Sequence, residues 1–165
     1  MPIPATMRYV DHGNGGGPEV LKVATREVPE LGAGEVLIEV AAAGVNRPDC
    51  IQRSGRYPPP ADASPHLGLE VAGRIVALGQ GVTEWKIGEA VCALANGGGY
   101  AEYAAAPAGQ VLPVPAGRRP LTGPPERTSR DLLPLSTAAV ALRLRTTMDI
   151  DADHSDDGTD DESGE

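Results

Sequence analysis

Between Val36 and Tyr57 an apolar run passes directly into a polar one, and this constrains the fold more than any other stretch. The run Val36-Leu37-Ile38-Glu39-Val40-Ala41-Ala42-Ala43-Gly44-Val45 leads into Asn46-Arg47-Pro48-Asp49, and Gly55-Arg56-Tyr57-Pro58 closes the unit. Val36, Ile38 and Val40 repeat at period two, the mark of a half-buried strand. Asn46 and Asp49 favour a helix start, and Pro48 is tolerated in a first turn. The spacing predicts a strand that hands over to a short helix at 46–54. Asn46, Arg47 and Asp49 then stand together at the strand end, where a ligand could meet them.

Similar short runs recur along the chain. Residues 7–10 and 21–26 predict an antiparallel pair, joined by the turn-rich His12-Gly13-Asn14-Gly15-Gly16-Gly17-Pro18. Residues 70–78, 89–94, 100–104 and 110–114 predict further strands. The prolines of 57–65 remove ladder donors and predict a loop. About seven short strands predict a mainly β fold with short helices, an irregular β-barrel. Phe is absent from the chain, so the core falls to Leu, Val and Ala. The glycine runs are not phosphate loops, because G-x-G-x-x-G fails at Pro18, Glu84 and Glu102.

Charge divides the chain. The net charge is −9, but nine of the acids lie between Asp149 and Glu165, leaving fourteen acids against fourteen Lys and Arg before them. A neutral body predicts no nucleic-acid or anionic-membrane partner. Residues 118–148 are divergent, basic and Pro-rich, with a short helix expected from a Ser136 cap through Thr147. Residues 149–165 are expected to be an acidic disordered tail. Cys50 and Cys92 stand too far apart in sequence for a paired motif, and both are read as inert core thiols. No signal peptide or run of about 20 apolar residues is present, so the expected location is cytoplasmic.

Five motifs occur in order: Ala43-Gly44-Val45-Asn46-Arg47-Pro48-Asp49, Gln52-Arg53-Ser54-Gly55-Arg56-Tyr57-Pro58, Leu67-Gly68-Leu69-Glu70-Val71-Ala72-Gly73, Trp85-Lys86-Ile87-Gly88-Glu89-Ala90-Val91 and Gly98-Gly99-Tyr100-Ala101-Glu102-Tyr103. Over roughly residues 7–117 the chain resembles the zinc-independent NAD(P)H:quinone oxidoreductases of the medium-chain dehydrogenase/reductase superfamily, and within it the p53-inducible subgroup. The resemblance implies a GroES-like catalytic domain at 1–117. It also implies NADPH as cofactor and a quinone or enone as substrate, reduced by hydride transfer. The family's nucleotide-binding domain has no counterpart here, so the expectation is a chain truncated before it. The alternative is an inactive fragment or interaction remnant, as a homo-oligomer or paired with a full-length relative.

The resemblance also assigns residues. Related zinc enzymes place a Cys ligand and a His-Glu pair where this chain has Asn46, Leu69 and Glu70. Leu69 cannot ligate and Asn46 is a poor substitute for a thiolate, so no metal is expected. Tyr57 is implied as the substrate-pocket phenol, able to hydrogen-bond or protonate a quinone oxygen. Asn46 is implied beside it, positioning the substrate carbonyl or the cofactor carboxamide, in addition to capping the helix. Arg47 and Asp49 are read as a local pair, and Glu70 as a carboxylate partnered by Arg47 or Arg53. Gln52 and Arg53 are read as packing residues.

Overall fold

The computed structural model describes residues 2–61, 63–114 and 140–142. It is built mainly of strands, as expected. The strands are β1 (Thr6–Asp11), β2 (Lys22–Glu27), β3 (Glu35–Val45), β4 (Glu70–Leu78), β5 (Ala90–Leu94), β6 (Tyr103–Pro107), β7 (Val111–Pro113) and β8 (Val140–Leu142). Among the described residues there is one α-helix, α1 (Arg47–Arg53), which follows β3 directly. Among the described residues no helix is long and apolar enough to cross a membrane.

β1 and β2 form the expected antiparallel pair, from Thr6 opposite Glu27 to Asp11 opposite Lys22. The larger sheet runs β6-β3-β4-β5-β7, with β8 beside the far end of β3. The two sheets are joined along one edge. Val10 donates its amide to the Tyr100 carbonyl (2.8 Å), and Glu102 donates to Arg8 (3.1 Å). The Arg8 guanidinium meets the Glu102 carboxylate at 2.7 Å, an ion pair across the seam. The β3–β4 ladder shifts register twice, between Leu37 and Ile38 and between Val40 and Ala42. Each irregularity adds bend and twist, which curls the sheet toward a barrel.

The core follows the period-two pattern of β3. Val36 and Ile38 are fully buried, and Val40 packs against the same cluster. Opposite them on β6 stand Ala106 and Ala104, so large side chains meet small ones across the ladder. Ile75 and Val91 complete the centre. This is how a chain without Phe closes a core: small residues on β6 allow the aliphatic face of β3 to approach.

Two expectations for the later chain meet the structure differently. Val140–Leu142, inside the segment expected to hold a short helix, form a strand paired with Val45, Gly44 and Ala43. Backbone pairing to the free edge of β3 satisfies donors and acceptors there that a helix would leave open. The acidic tail at 149–165 lies outside the described residues.

Candidate active site

The handover from β3 to α1 is held by one buried carboxylate. Asn46 is extended (φ −124°, ψ 155°) and stands as the N-cap, with a proline in the first turn. Asp49, three residues on, accepts the Asn46 amide on Oδ2 at 2.8 Å. That is the return arm of a capping box. Asp49 Oδ1 accepts the Gly68 amide at 3.1 Å, and Oδ2 also accepts the Tyr100 hydroxyl at 3.0 Å. Asp49 is only 3% exposed. It is not paired with Arg47, which is exposed. Three neutral donors from three segments satisfy it instead, each bond to a charged acceptor being stronger than its neutral counterpart.

Gln52 lies one turn further on the same helix face and is also buried. Its Nε2 donates to the Pro65 carbonyl at 3.0 Å. Asp49 and Gln52 thus clamp α1 to the 64–69 segment. That segment is bonded in turn to residues 95–100: Ala95 donates to Leu69, Gly98 to His66, Gly99 to Gly68 and Tyr100 to Leu67, at 2.8–3.0 Å.

A cleft of about 440 Å³ opens between these parts. Pro48, Ile51 and Gln52 of α1 form one wall, and Leu69, Ala95, Asn96 and Gly97 another. Tyr57, Pro59, Pro60, Ala63 and Ser64 complete it. Most of these side chains are apolar, with a few polar groups to orient a guest, as small-molecule sites require. Tyr57 is about half exposed and makes no hydrogen bond to the described residues, so its hydroxyl is available to a ligand. Asn46 is not among the lining residues. It caps the start of the helix whose next turn lines the cleft, and its buried Nδ2 has no hydrogen-bond partner among the described residues. Tyr57 and Asn46 therefore flank α1 rather than sharing one wall.

The remaining candidates are structural. Arg53 donates to the Gly16 carbonyl at 3.1 Å and accepts the Gly16 amide at 2.9 Å, binding the β1–β2 connection to the end of α1. In the glycine run the Gly15 amide donates to the His12 carbonyl, while the Gly13 and Gly17 amides donate to the side chains of Asp11 and Glu19. No ion pair joins Glu70 to Arg47 or Arg53; its side chain lies over Gly44 instead. Cys50 is exposed on α1, against expectation, because it falls on the helix face opposite the clamp. Cys92 is buried, and burial raises its thiol pKa.

Burial, then the Asp49 charge and hydrogen bond, push the Tyr100 hydroxyl far above the ordinary phenol range. A raised folded pKa means stability that is complete below the unfolded value, about 10. It is lost as pH climbs from there toward the folded value, because only the unfolded chain ionises. Alkaline unfolding followed by circular dichroism should therefore begin near pH 10. Tyr100→Phe should flatten this dependence while costing about 1–2 kcal/mol at neutral pH.

Comparison with known proteins places this geometry. The family described as "Alcohol dehydrogenase GroES-like domain" matches residues 32–116, just over half of the chain. The chain belongs to this family. The matched range includes α1, the Asp49 clamp and the whole cleft wall. Quinone oxidoreductase of Lama guanicoe is 42% identical over 115 residues, covering 66% of this chain and 34% of that protein. Quinone oxidoreductase of Pseudomonas aeruginosa is 44% identical over 89 residues, covering 53% and 27%. Among solved structures, mycobacterial Rv1454c complexed with NADPH superposes with a TM-score of 0.61 at 35% identity, covering 69% of this chain and 34% of that one. The human synaptic vesicle membrane protein VAT-1 homolog-like protein gives 0.63 at 32% identity, covering 70% and 37%. The chain spans about a third of the length of the curated quinone oxidoreductases it first matches. The GroES-like family and the likeness to quinone oxidoreductases thus agree with the five sequence motifs.

Proposed function

We propose that this chain supplies the acceptor-binding part of an NAD(P)H-dependent reductase of quinones or conjugated carbonyls. The observation that carries the reading is the apolar cleft beside α1, with the unbonded Tyr57 hydroxyl at its edge and the unpartnered Asn46 amide at the helix start. Its residues fit a flat, largely apolar ring whose oxygen needs a donor. NADPH, when bound, supplies a hydride, and one further proton completes reduction of a quinone to a hydroquinone. Pro48, Ile51 and Leu69 exclude water from the acceptor ring. The Tyr57 hydroxyl donates to the oxygen on which negative charge develops, or hands it the proton. The Asn46 amide would hold the nicotinamide carboxamide or the substrate carbonyl. The adenosine of the cofactor would be held by a nucleotide-binding unit, in the same polypeptide or paired with it.

The likeness to quinone oxidoreductases, and to a protein solved with NADPH, supports the cofactor class and the acceptor class together. Tyr57→Phe tests the assignment. Its side chain is exposed, so thermal stability should stay within about 0.5 kcal/mol. NADPH-dependent quinone reduction should fall by about 10²-fold if the phenol is the proton donor. Unchanged turnover would remove Tyr57 from the chemistry. No turnover by the unmodified chain, with or without a full-length relative, would favour the interaction-remnant alternative.

A further inference from the structure

A basic cluster sits behind the loop that lines the cleft, and the chemistry proposed above does not use it. Arg26 of β2 lies over the Tyr9 ring of β1, with Cζ 5.4 Å from the centroid. The Tyr9 ring meets the His66 ring edge-on, 4.6 Å between centroids. Asp11 and His12 close the group at the end of β1.

Arg26 is partly buried and has no carboxylate partner among the described residues. Asp11 instead accepts the Gly13 amide at 3.1 Å. Arg26 Nε and His12 Nδ1 are both buried without a hydrogen-bond partner among the described residues. Partial burial of a guanidinium costs hydration, and an anion beside it would offset part of that cost. Burial lowers the Arg26 pKa from its ordinary value.

The cluster adjoins the cleft. A Cβ placed on Gly98 would stand 3.7 Å from Arg26 Nη2 and 3.0 Å from Ser64 Oγ. Ser64 and Gly97 are cleft residues. His66 lies two residues beyond Ser64, and its carbonyl accepts the Gly98 amide.

We propose that Arg26, with His12 beside it, forms a subsite for an anionic oxygen group (carboxylate, sulfonate or phosphate) of a ligand seated in the cleft. The guanidinium fork suits such a group in a way that a lone ammonium would not. The body of the ligand rests on the acceptor-cleft reading; recognition of the anion is separately testable. The anion belongs either to the acceptor or to the phosphates of the cofactor, and one experiment distinguishes these sources.

His66 is the reporter. Burial lowers its pKa most, Arg26 and His12 lower it further, and Asp11 opposes them. An anion on Arg26 would offset the cationic field and move the His66 pKa upward. The imidazole signals of His12 and His66 in the full chain should be followed by NMR against pH. Four additions are compared: inorganic phosphate, NADPH, anthraquinone-2-sulfonate and the neutral 2-hydroxymethylanthraquinone, all with chloride at matched ionic strength.

The expected result is a saturable rise of about half a unit or more in the His66 pKa with at least one anion. Arg26→Gln should abolish that rise and weaken binding of the sulfonate about tenfold, with the neutral analogue unaffected. A larger effect from NADPH would assign the subsite to the cofactor, and a larger effect from the sulfonate would assign it to the acceptor. No response beyond the chloride control overturns the proposal, whether or not Arg26→Gln folds. Failure of the neutral quinone to bind would overturn the acceptor-cleft reading while leaving the phosphate response to stand or fall by itself.

Discussion

Asp49→Ala should destabilise the domain by about 3–5 kcal/mol, measured by urea unfolding. The carboxylate receives the amides of Asn46 and Gly68 and the hydroxyl of Tyr100, and it is almost wholly buried. Removing it strands three donors in a site that alanine cannot fill. Each unsatisfied buried donor costs about 1–3 kcal/mol, softened where water can enter. A domain with about 5–15 kcal/mol of total stability would lose a large part of it. Asp49→Asn keeps one acceptor oxygen but turns an amide donor toward other donors, so it should rescue only part of the loss. A double-mutant cycle with Tyr100→Phe should show coupling, because the two share one bond. Additive effects would mean that the Tyr100 hydroxyl stands apart from the clamp.

Gly68→Ala should cost about 4 kcal/mol by the same measurement. Gly68 has φ +105°, a conformation that L side chains rarely adopt. A methyl group there would press on the Tyr100 amide nitrogen and lie 2.7 Å from Gly99 Cα. Those atoms are backbone and cannot swing aside. Relief would break the Gly99–Gly68 and Tyr100–Leu67 bonds that hold the two cleft segments together. Ligand binding should fall with stability here, because the wall containing Leu69, Ala95 and Asn96 depends on that seam. By contrast, Gly34→Ala, where a Cβ meets no atom within 4 Å, should show only the conformational strain of its positive φ.

The strands were legible because period-two runs and turn residues are local signals. Val36 and Ile38 mark the core face, and Glu70–Leu78 forms the strand its pattern predicts. α1 was legible from Asn46, Pro48 and Asp49, which carry cap and first-turn chemistry. Asp49 is legible only in part. The Asn46-x-x-Asp49 spacing is that of a capping box, which directs the carboxylate to the backbone rather than to Arg47. Its bonds to Gly68 and Tyr100 join residues 19 and 51 positions away, and no local pattern encodes these. Tyr57 stands out only through the family motif, and its position at the cleft depends on the path of the proline-rich loop. The Arg26–Tyr9–His66 cluster was invisible for the same reason, since it is assembled from three separate segments. The strand at Val140–Leu142 is not legible locally, because its partner lies almost a hundred residues earlier, at Ala43–Val45.

The measurement that tests the central claim most directly is a titration of the chain with duroquinone, whose fully substituted ring cannot add to the exposed Cys50 thiol. Methyl and aromatic NMR signals would be assigned beforehand. The account predicts saturable binding, with shifts concentrated on Ile51, Tyr57 and Leu69 and abolished by Ile51→Arg. Absence of saturable binding, or shifts centred on the exposed Leu94 and Leu112 of β5 and β7, would contradict it.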